Sequence, residues 1–355
     1  MAKELWKGNE AIAEAAIRAG CRCYFGYPIT PQSEIPEYMS LHMPEAGGVF
    51  LQSESEIAAI NMVYGASGAG ARVMTSSSSP GISLKQEGIS YMCGAELPGV
   101  IVNVMRGGPG LGTIQPAQGD YYQATRGGGN GDYRLIVFAP ANIQEVVDLM
   151  QEAFELADKY RMPVMMLLDG MIGQMMEPVE WKRPALSPED LPAKPWATTG
   201  TKGERRPNII NSLFINPDAC NDHNRHLEEK YQRVIENEQR YEINDADEAE
   251  VLFVAYGTPA RLARAAARLL GEEGIKAGVF RPITVWPYPY EALHEAASKE
   301  SVRAVVTVEM STGQMVDDVR IGVNGIKPVS FVGQAGGVIP TPREVADAAR
   351  KALGR

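Results

Sequence analysis

Cysteine is scarce in these 355 residues, with four at Cys21, Cys23, Cys93 and Cys220. No two stand at the C-x2-C spacing of zinc or iron-sulfur ligation. Cys21 and Cys23 fall on an expected strand, whose alternation turns their side chains apart. All four read as free thiols, so an iron-sulfur cluster serving this chain would have to sit on another polypeptide. Positive charge is also in the minority: 34 Lys and Arg against 44 Asp and Glu leave a net charge of -10, which argues against a nucleic-acid footprint. Long apolar runs are missing. No stretch of about eighteen uncharged apolar residues occurs, and Glu4, Glu10 and Glu14 interrupt the start. Neither a membrane span nor a secretory signal is expected, and the cytoplasm is the default location. The four histidines, His42, His223, His226 and His294, are scattered and read as structural donors rather than ligands.

What is present is room for two ordinary domains with good cores. The chain is 45% hydrophobic and 22% charged, a globular composition. The most informative stretch runs from Phe50 to Gly81. After a short extended run (48–51) come Glu54 and Glu56, then a helical pattern with Ala58, Ala59, Met62, Val63, Ala66 and Ala69. So small-sided and apolar a helix is expected to be buried. A helix start favours an anion while burial opposes it, and that conflict at Glu56 marks a candidate functional site. A strand over 71–75 then leads into a serine-rich, turn-prone loop, 76–81, and another helix. Open α/β sheets place ligands at such strand-loop-helix junctions. The same residues also suit an ordinary helix N-terminus capped by Ser53 or Ser55.

The rest of the first half repeats this alternation. Helix 8–20, strand 23–27, the proline-flanked loop 28–31, helix 81–94, strand 98–104, strand 135–139, helix 143–160 and strand 163–168 follow one another, predicting a parallel sheet covered on both faces. Thr30, Ser76 and Arg106 would then share its carboxyl edge. The glycine-rich run after Arg106 (107–112) lets backbone approach a ligand, but it lacks the G-x-G-x-x-G spacing of dinucleotide-binding enzymes. From 181 to 249 the composition turns proline-rich and charged. This connection is expected to carry a surface helix over 223–242 that packs on the first unit; a second reading has residues 221–224 reaching the active site or a partner. A further α/β unit starts at Val251, with strands at 276–280 and 302–308 and no second phosphate-type loop.

Five motifs, GNEAIAEAAIRAGCRCYFGYPITPQSE (8–34), the Glu56 stretch, MRGGPGLGTIQPAQGD (105–120), RPITVWPYP (281–289) and VEMSTGQMVDDVR (308–320), together resemble the alpha subunits of the 2-oxoacid:ferredoxin oxidoreductases, most nearly the branched-chain (2-oxoisovalerate) type. The resemblance runs from end to end. It implies an α/β protein with a thiamine-diphosphate pyrimidine-binding domain (1–180), a connection (181–249) and a transketolase C-terminal-like domain (250–355). It further implies that Glu56 is catalytic, sharing a proton with the cofactor's pyrimidine N1'. Thr30 and Arg106 would hold the substrate carboxylate, and Pro28, Ile29, Glu56 and Ser79 would line the cofactor.

No residue here is expected to bind metal, and Gly131-Asp132 reads as a turn rather than a diphosphate loop. A beta subunit would therefore supply the Mg and diphosphate site and the iron-sulfur clusters. Gamma and ferredoxin-like delta subunits would complete the assembly, with ferredoxin, coenzyme A and a 2-oxoacid as its reaction partners. The Arg106 loop resembles the branched-chain type and carries no extra basic residue for the distal carboxylate of 2-oxoglutarate, which favours a branched-chain 2-oxoacid; a 2-oxoglutarate or pyruvate enzyme is the alternative within the class. A non-catalytic scaffold is the competing reading from another class.

Overall fold

The structure, a computed structural model, describes residues 3–355. Its first half comprises β1 (Glu4–Lys7), α1 (Gly8–Arg18), β2 (Cys23–Gly26), α2 (Glu34–Glu45), β3 (Val49–Gln52), α3 (Glu56–Gly68), β4 (Val73–Ser77), α4 (Ser79–Gly94), β5 (Gly99–Met105), α5 (Tyr121–Arg126), β6 (Ile136–Phe138), α6 (Ile143–Tyr160), β7 (Pro163–Asp169), α7 (Gly170–Gln174) and β8 (Met176–Val179). The second half comprises α8 (Pro217–Asn237), β9 (Tyr241–Asn244), β10 (Val251–Ala255), α9 (Gly257–Glu272), β11 (Ala277–Pro282), β12 (Thr284–Trp286), α10 (Tyr290–Ser298), β13 (Ala304–Glu309), α11 (Met315–Val323), β14 (Val329–Gly333) and α12 (Pro342–Ala352).

The seven-stranded sheet has the order β12-β6-β7-β5-β4-β2-β3. All its pairings are parallel except that of β12 with β6. Strands β5 and β7 are buried along their whole length, as a sheet covered by helices on both faces requires. A second sheet, β14-β13-β10-β11-β9, is parallel apart from β9. Each sheet recruits a strand across the divisions drawn from composition: β12 joins the first sheet and β9 the second.

Two expectations for the central stretch are corrected. α3 is not buried all round: Ile57 is 52% and Met62 36% exposed, and Gly65 and Ala69 also face solvent. Its covered side packs on β2, β4 and α4, and the opposite side faces away from the sheet into solvent. The serine run is not a loop either. Ser76 and Ser77 finish β4, and α4 starts at Ser79. Ser76 is drawn into the strand by a buried chain in which its hydroxyl meets Tyr24 Oη at 2.7 Å and Gln32 Oε1 at 2.5 Å.

Helix α8 lies on the first unit through Leu227, Lys230, Tyr231 and Val234. His223 meets the Gly94 carbonyl at 2.7 Å, and Lys230 donates to Glu96 at 3.0 Å. Both contacts are at the C-terminal end of α4, away from Ser79, so residues 221–224 do not reach the junction where the candidate residues gather.

The two sheets are joined by buried polar contacts. Gln118 donates to the Tyr256 carbonyl and receives the Met310 N–H, both at 3.0 Å. Asp169 receives the Thr258 N–H at 3.0 Å and its hydroxyl at 2.8 Å. Asp318, on α11, accepts from Tyr121, Tyr290 and Arg126. Among the described residues no helix is long and apolar enough to cross a membrane.

Candidate active site

Strands β2, β4 and β5 are neighbours in the sheet and run in one direction. Their carboxyl ends therefore bring together the loop after β2, the β4-α4 junction and Arg106, the convergence at one sheet edge on which ligand sites in this architecture depend. Thr30 and Pro28 are exposed there and Ile29 half-buried, whereas Glu56, Ser79 and Arg106 are buried.

Glu56 is the first residue of α3, behind the N-cap Ser55, whose hydroxyl accepts the Ala58 N–H at 3.1 Å. The cap fixes the helix start and turns Glu56 inward; Glu54, two residues earlier, stays exposed. The Glu56 carboxylate lies over Gly81: a Cβ at Gly81 would stand 2.7 Å from Glu56 Oε1 and 2.1 Å from Ser77 Oγ. Among the described residues no hydrogen bond or ion pair engages this carboxylate. Close by, the hydroxyls of Ser77 and Ser78 are buried without a partner.

A glycine at 81 is thus a matter of close approach. Gly81→Ala is expected to force Glu56 aside. A displacement near 1 Å costs about 10²-fold in rate, and the overpacking costs about 1–3 kcal/mol. Turnover measured beside thermal unfolding would separate the two effects. Full activity would show that Glu56 does not depend on this cradle.

Arg106 is committed differently from the simple clamp expected. Nη1 donates to the Thr30 carbonyl at 2.9 Å and Nη2 to the Leu111 carbonyl at 3.1 Å, tying the loop after β2 to the glycine-rich loop. Its Nε is buried and unpartnered. Glycine-rich backbone is needed here at Gly112, where φ is +57° and a Cβ would meet the Gly107 carbonyl at 1.7 Å.

Ser79 is likewise already engaged. Its hydroxyl donates to Asp120 Oδ2 at 2.6 Å and accepts the Arg106 N–H at 3.1 Å, while its own N–H reaches Asn103 Oδ1 at 3.1 Å. Ser79 therefore locks the start of α4 to the end of β5. Asp120, which also accepts from Asn103 at 2.9 Å, did not stand out in the sequence. Its only signal was its place at the end of the 105–120 motif. Burial pushes its carboxyl up, against the pull of the Ser79 and Asn103 hydrogen bonds.

Lys85 is the other residue the sequence did not expose. It lies wholly buried on α4, its ammonium donating to Thr75 Oγ1 at 3.0 Å. In the sequence it was one lysine in a helical pattern, with nothing to show which way it faces.

The unengaged carboxylate, the unpaired serine hydroxyls and the glycine cradle fit the aminopyrimidine half of a thiamine cofactor, which presents ring nitrogens and an amino group to be hydrogen-bonded. For a metal-bound diphosphate the described residues offer no comparable set: no group of three or more His, Cys, Asp or Glu side chains gathers as a metal site.

Beside Thr30 a cleft of about 460 Å³ opens between the two sheets, lined by Glu34, Ile114, Met171, Gln174 and Ile339 among others. The four cysteines are free. Burial pushes the thiols of Cys21 and Cys93 up to about 12.

Comparison with known proteins agrees with this architecture. The family model described as pyruvate flavodoxin/ferredoxin oxidoreductase, thiamine diphosphate-binding, matches residues 14–242, and one described as pyruvate:ferredoxin oxidoreductase core domain II matches 249–345. Ketoisovalerate oxidoreductase subunit VorB of Methanothermobacter thermautotrophicus is 50% identical over 100% of this chain and 99% of its own. The 2-oxoglutarate synthase subunit KorA of Archaeoglobus fulgidus is 39% identical over 94% of this chain and 95% of its own. Among solved structures, the 2-oxoglutarate:ferredoxin oxidoreductase of Magnetococcus marinus, with 2-oxoglutarate, coenzyme A and succinyl-CoA bound, is 26% identical with a TM-score of 0.85, covering 99% of this chain and 65% of that longer one. A split-gene transketolase, 19% identical with a TM-score of 0.61 over 98% of both chains, shares the fold. The chain belongs to the pyruvate flavodoxin/ferredoxin oxidoreductase family, and the 14–242 region matched by its thiamine-diphosphate-binding model includes α3 and Glu56.

Proposed function

We propose that this chain is the pyrimidine-binding subunit of a thiamine-diphosphate-dependent 2-oxoacid:ferredoxin oxidoreductase acting on branched-chain 2-oxoacids such as 2-oxoisovalerate. The products are acyl-coenzyme A, carbon dioxide and reduced ferredoxin. The observation that carries the reading is the unengaged Glu56 carboxylate over Gly81 at the carboxyl edge of the sheet, in a chain half identical to a ketoisovalerate oxidoreductase subunit along its whole length. Residues 1–180 form the pyrimidine-binding unit, and 250–355 hold it in place.

Bound thiamine diphosphate supplies a nucleophilic carbon for the keto group and an electron sink once carbon dioxide has left. The protein's part is positioning and proton handling. Glu56 holds a proton at the pyrimidine N1', with Ser77 and Ser78 as further donors around the ring. Pro28 and Ile29 wall the cofactor on the β2 side. Ser79 acts indirectly, by locking α4 to Arg106. Arg106, pinned by two carbonyls, keeps N–H groups for the substrate carboxylate, and Thr30 adds its hydroxyl from the exposed loop.

Magnesium, the diphosphate site and the iron-sulfur clusters belong to a beta subunit. Gamma and delta subunits complete the route to ferredoxin. The cleft beside Thr30 suits an aliphatic side chain: Ile114, Met171 and Ile339 are apolar, its acidic residue Glu34 is already paired with Lys7, and among the described residues no basic side chain lines it to pair a second carboxylate.

Anaerobic dye reduction by the co-purified complex tests this, with 2-oxoisovalerate, 2-oxoglutarate and pyruvate each supplied with and without coenzyme A. Coenzyme A-dependent reduction favouring 2-oxoisovalerate by about 10-fold or more is expected, over 2-oxoglutarate because its second carboxylate is unpaired and over pyruvate because its methyl leaves the apolar pocket unfilled. Preference for 2-oxoglutarate would overturn the substrate assignment and keep the chemistry. Inactivity on all three by a loaded complex would return the chain to a scaffold role.

A further inference from the structure

The β4-α4 junction holds two superposed pairs across one interface. Ser77 faces Gly81, whose absent Cβ leaves room for the Glu56 carboxylate. Thr75, two residues back on the same face of β4, receives the ammonium of Lys85 at 3.0 Å. Lys85 is four residues beyond Gly81 on α4, about 6 Å along the helix axis and on the same side. The cation and the carboxylate therefore meet β4 at positions two residues apart, Thr75 and Ser77, about 7 Å along the strand.

No ion pair is formed by either group among the described residues, so their attraction acts through space rather than through contact. Other titratable groups on the elements packed against α4 look elsewhere. Asp169 on β7 is taken by Thr258, Met171 and Ile172. Asp120 is taken by Ser79 and Asn103. Arg106 is held by Thr30 and Leu111. On α3 Tyr64 is half-buried, β5 carries no charge, and Glu87 on α4 itself is exposed.

We propose that Lys85 is an electrostatic positioning residue of the active site, its buried ammonium stabilising the negative charge left on the Glu56 carboxylate when the shared proton passes to the pyrimidine N1'. The proposal rests on the catalytic reading of Glu56. A buried lysine with a single hydroxyl partner is costly to desolvate, and such a cost is retained where the charge has a use. Burial pulls the ammonium down to about 8, with Glu56 opposing the shift. The cation is thus present at neutral pH and lost on the alkaline side.

The test uses the co-expressed complex, with Lys85→Met as a neutral near-isostere, Lys85→Gln as a second neutral variant should the first not fold, and Lys85→Arg to restore charge. Infrared difference titration of the cofactor-free complex follows the Glu56 carboxyl band, assigned by its loss in Glu56→Gln. Removing a nearby cation favours the neutral acid, so the protonation midpoint should move to higher pH by about one unit, and the acid limb of turnover should move with it. Lys85→Arg should keep both near the native position.

An unmoved midpoint in a folded neutral variant would overturn the role of Lys85 while leaving Glu56 intact. A Glu56→Gln complex as active as the native one would instead overturn the underlying reading. The two failures are therefore distinguishable.

Discussion

Glu56→Gln should leave a folded, assembled complex that has lost about 10²–10⁴-fold in turnover, the usual share of a positioned proton-transfer group, or about 3–5 kcal/mol of barrier. Glutamine keeps the shape of the side chain and its acceptor oxygen but has no acidic proton to share with the pyrimidine N1'. The fold should survive because no hydrogen bond or ion pair among the described residues depends on this carboxylate, and the helix start is secured by Ser55 receiving the Ala58 N–H. Glu54→Gln is the matched control. Glu54 is exposed and accepts the Ser55 hydroxyl at 3.2 Å, so its loss should leave turnover within a factor of about two, surface changes costing at most about 0.5 kcal/mol. Steady-state dye reduction with thermal unfolding of the same preparations reads both. A dead Glu54 variant beside a live Glu56 variant would mean that the helix had been read in the wrong register.

That register was legible because the signals are local. Ser55, Glu56 and a run of small residues define a helix start within a few positions. Likewise the apolar face through Val146, Val147, Met150, Phe154 and Ala157 places a helix over 143–160, the span that α6 occupies. The alternation of strands and helices was enough to set Thr30, Ser76 and Arg106 on one edge.

The sequence fell short where a side chain's role depends on a distant partner. Ser79 suggested a cofactor contact, yet its hydroxyl is spent on Asp120, 41 residues away. Arg106 suggested a free clamp, yet Thr30 takes one of its nitrogens through a backbone carbonyl 76 residues away. The buried face of Lys85 follows from β4 packing beneath α4, which no periodicity reports. α3 failed in the opposite sense: apolar composition promised burial, but the side bearing Ile57 and Met62 is left partly exposed.

A second large effect is expected far from Glu56. Asp318→Ala should destabilise the chain by about 3 kcal/mol or more, since removing one member of a buried charged cluster strands the others. The Asp318 side chain is fully buried and accepts the Tyr121 hydroxyl at 2.6 Å, the Tyr290 hydroxyl, and Arg126 Nη2 at 2.8 and 2.9 Å. Arg126 is 40% exposed on its side chain and can turn to water, so the main cost falls on the tyrosine hydroxyls, at about 1–3 kcal/mol for each donor left buried without an acceptor. Asp317→Ala, one residue away, removes exposed contacts with Tyr122 and Arg320 and should cost less than about 1 kcal/mol.

The consequence reaches the site through the chain itself. Tyr121 directly follows Asp120, whose carboxylate holds Ser79 and through it the start of α4. Loosening α5 from α11 therefore loosens the strut behind Arg106. Denaturant unfolding should show the loss of stability, and turnover of the Asp318 variant at a temperature where it remains folded should still fall. Unfolding unchanged from the native protein would show that Tyr121, Tyr290 and Arg126 find other partners, and that the joint between the sheets does not rest on this carboxylate.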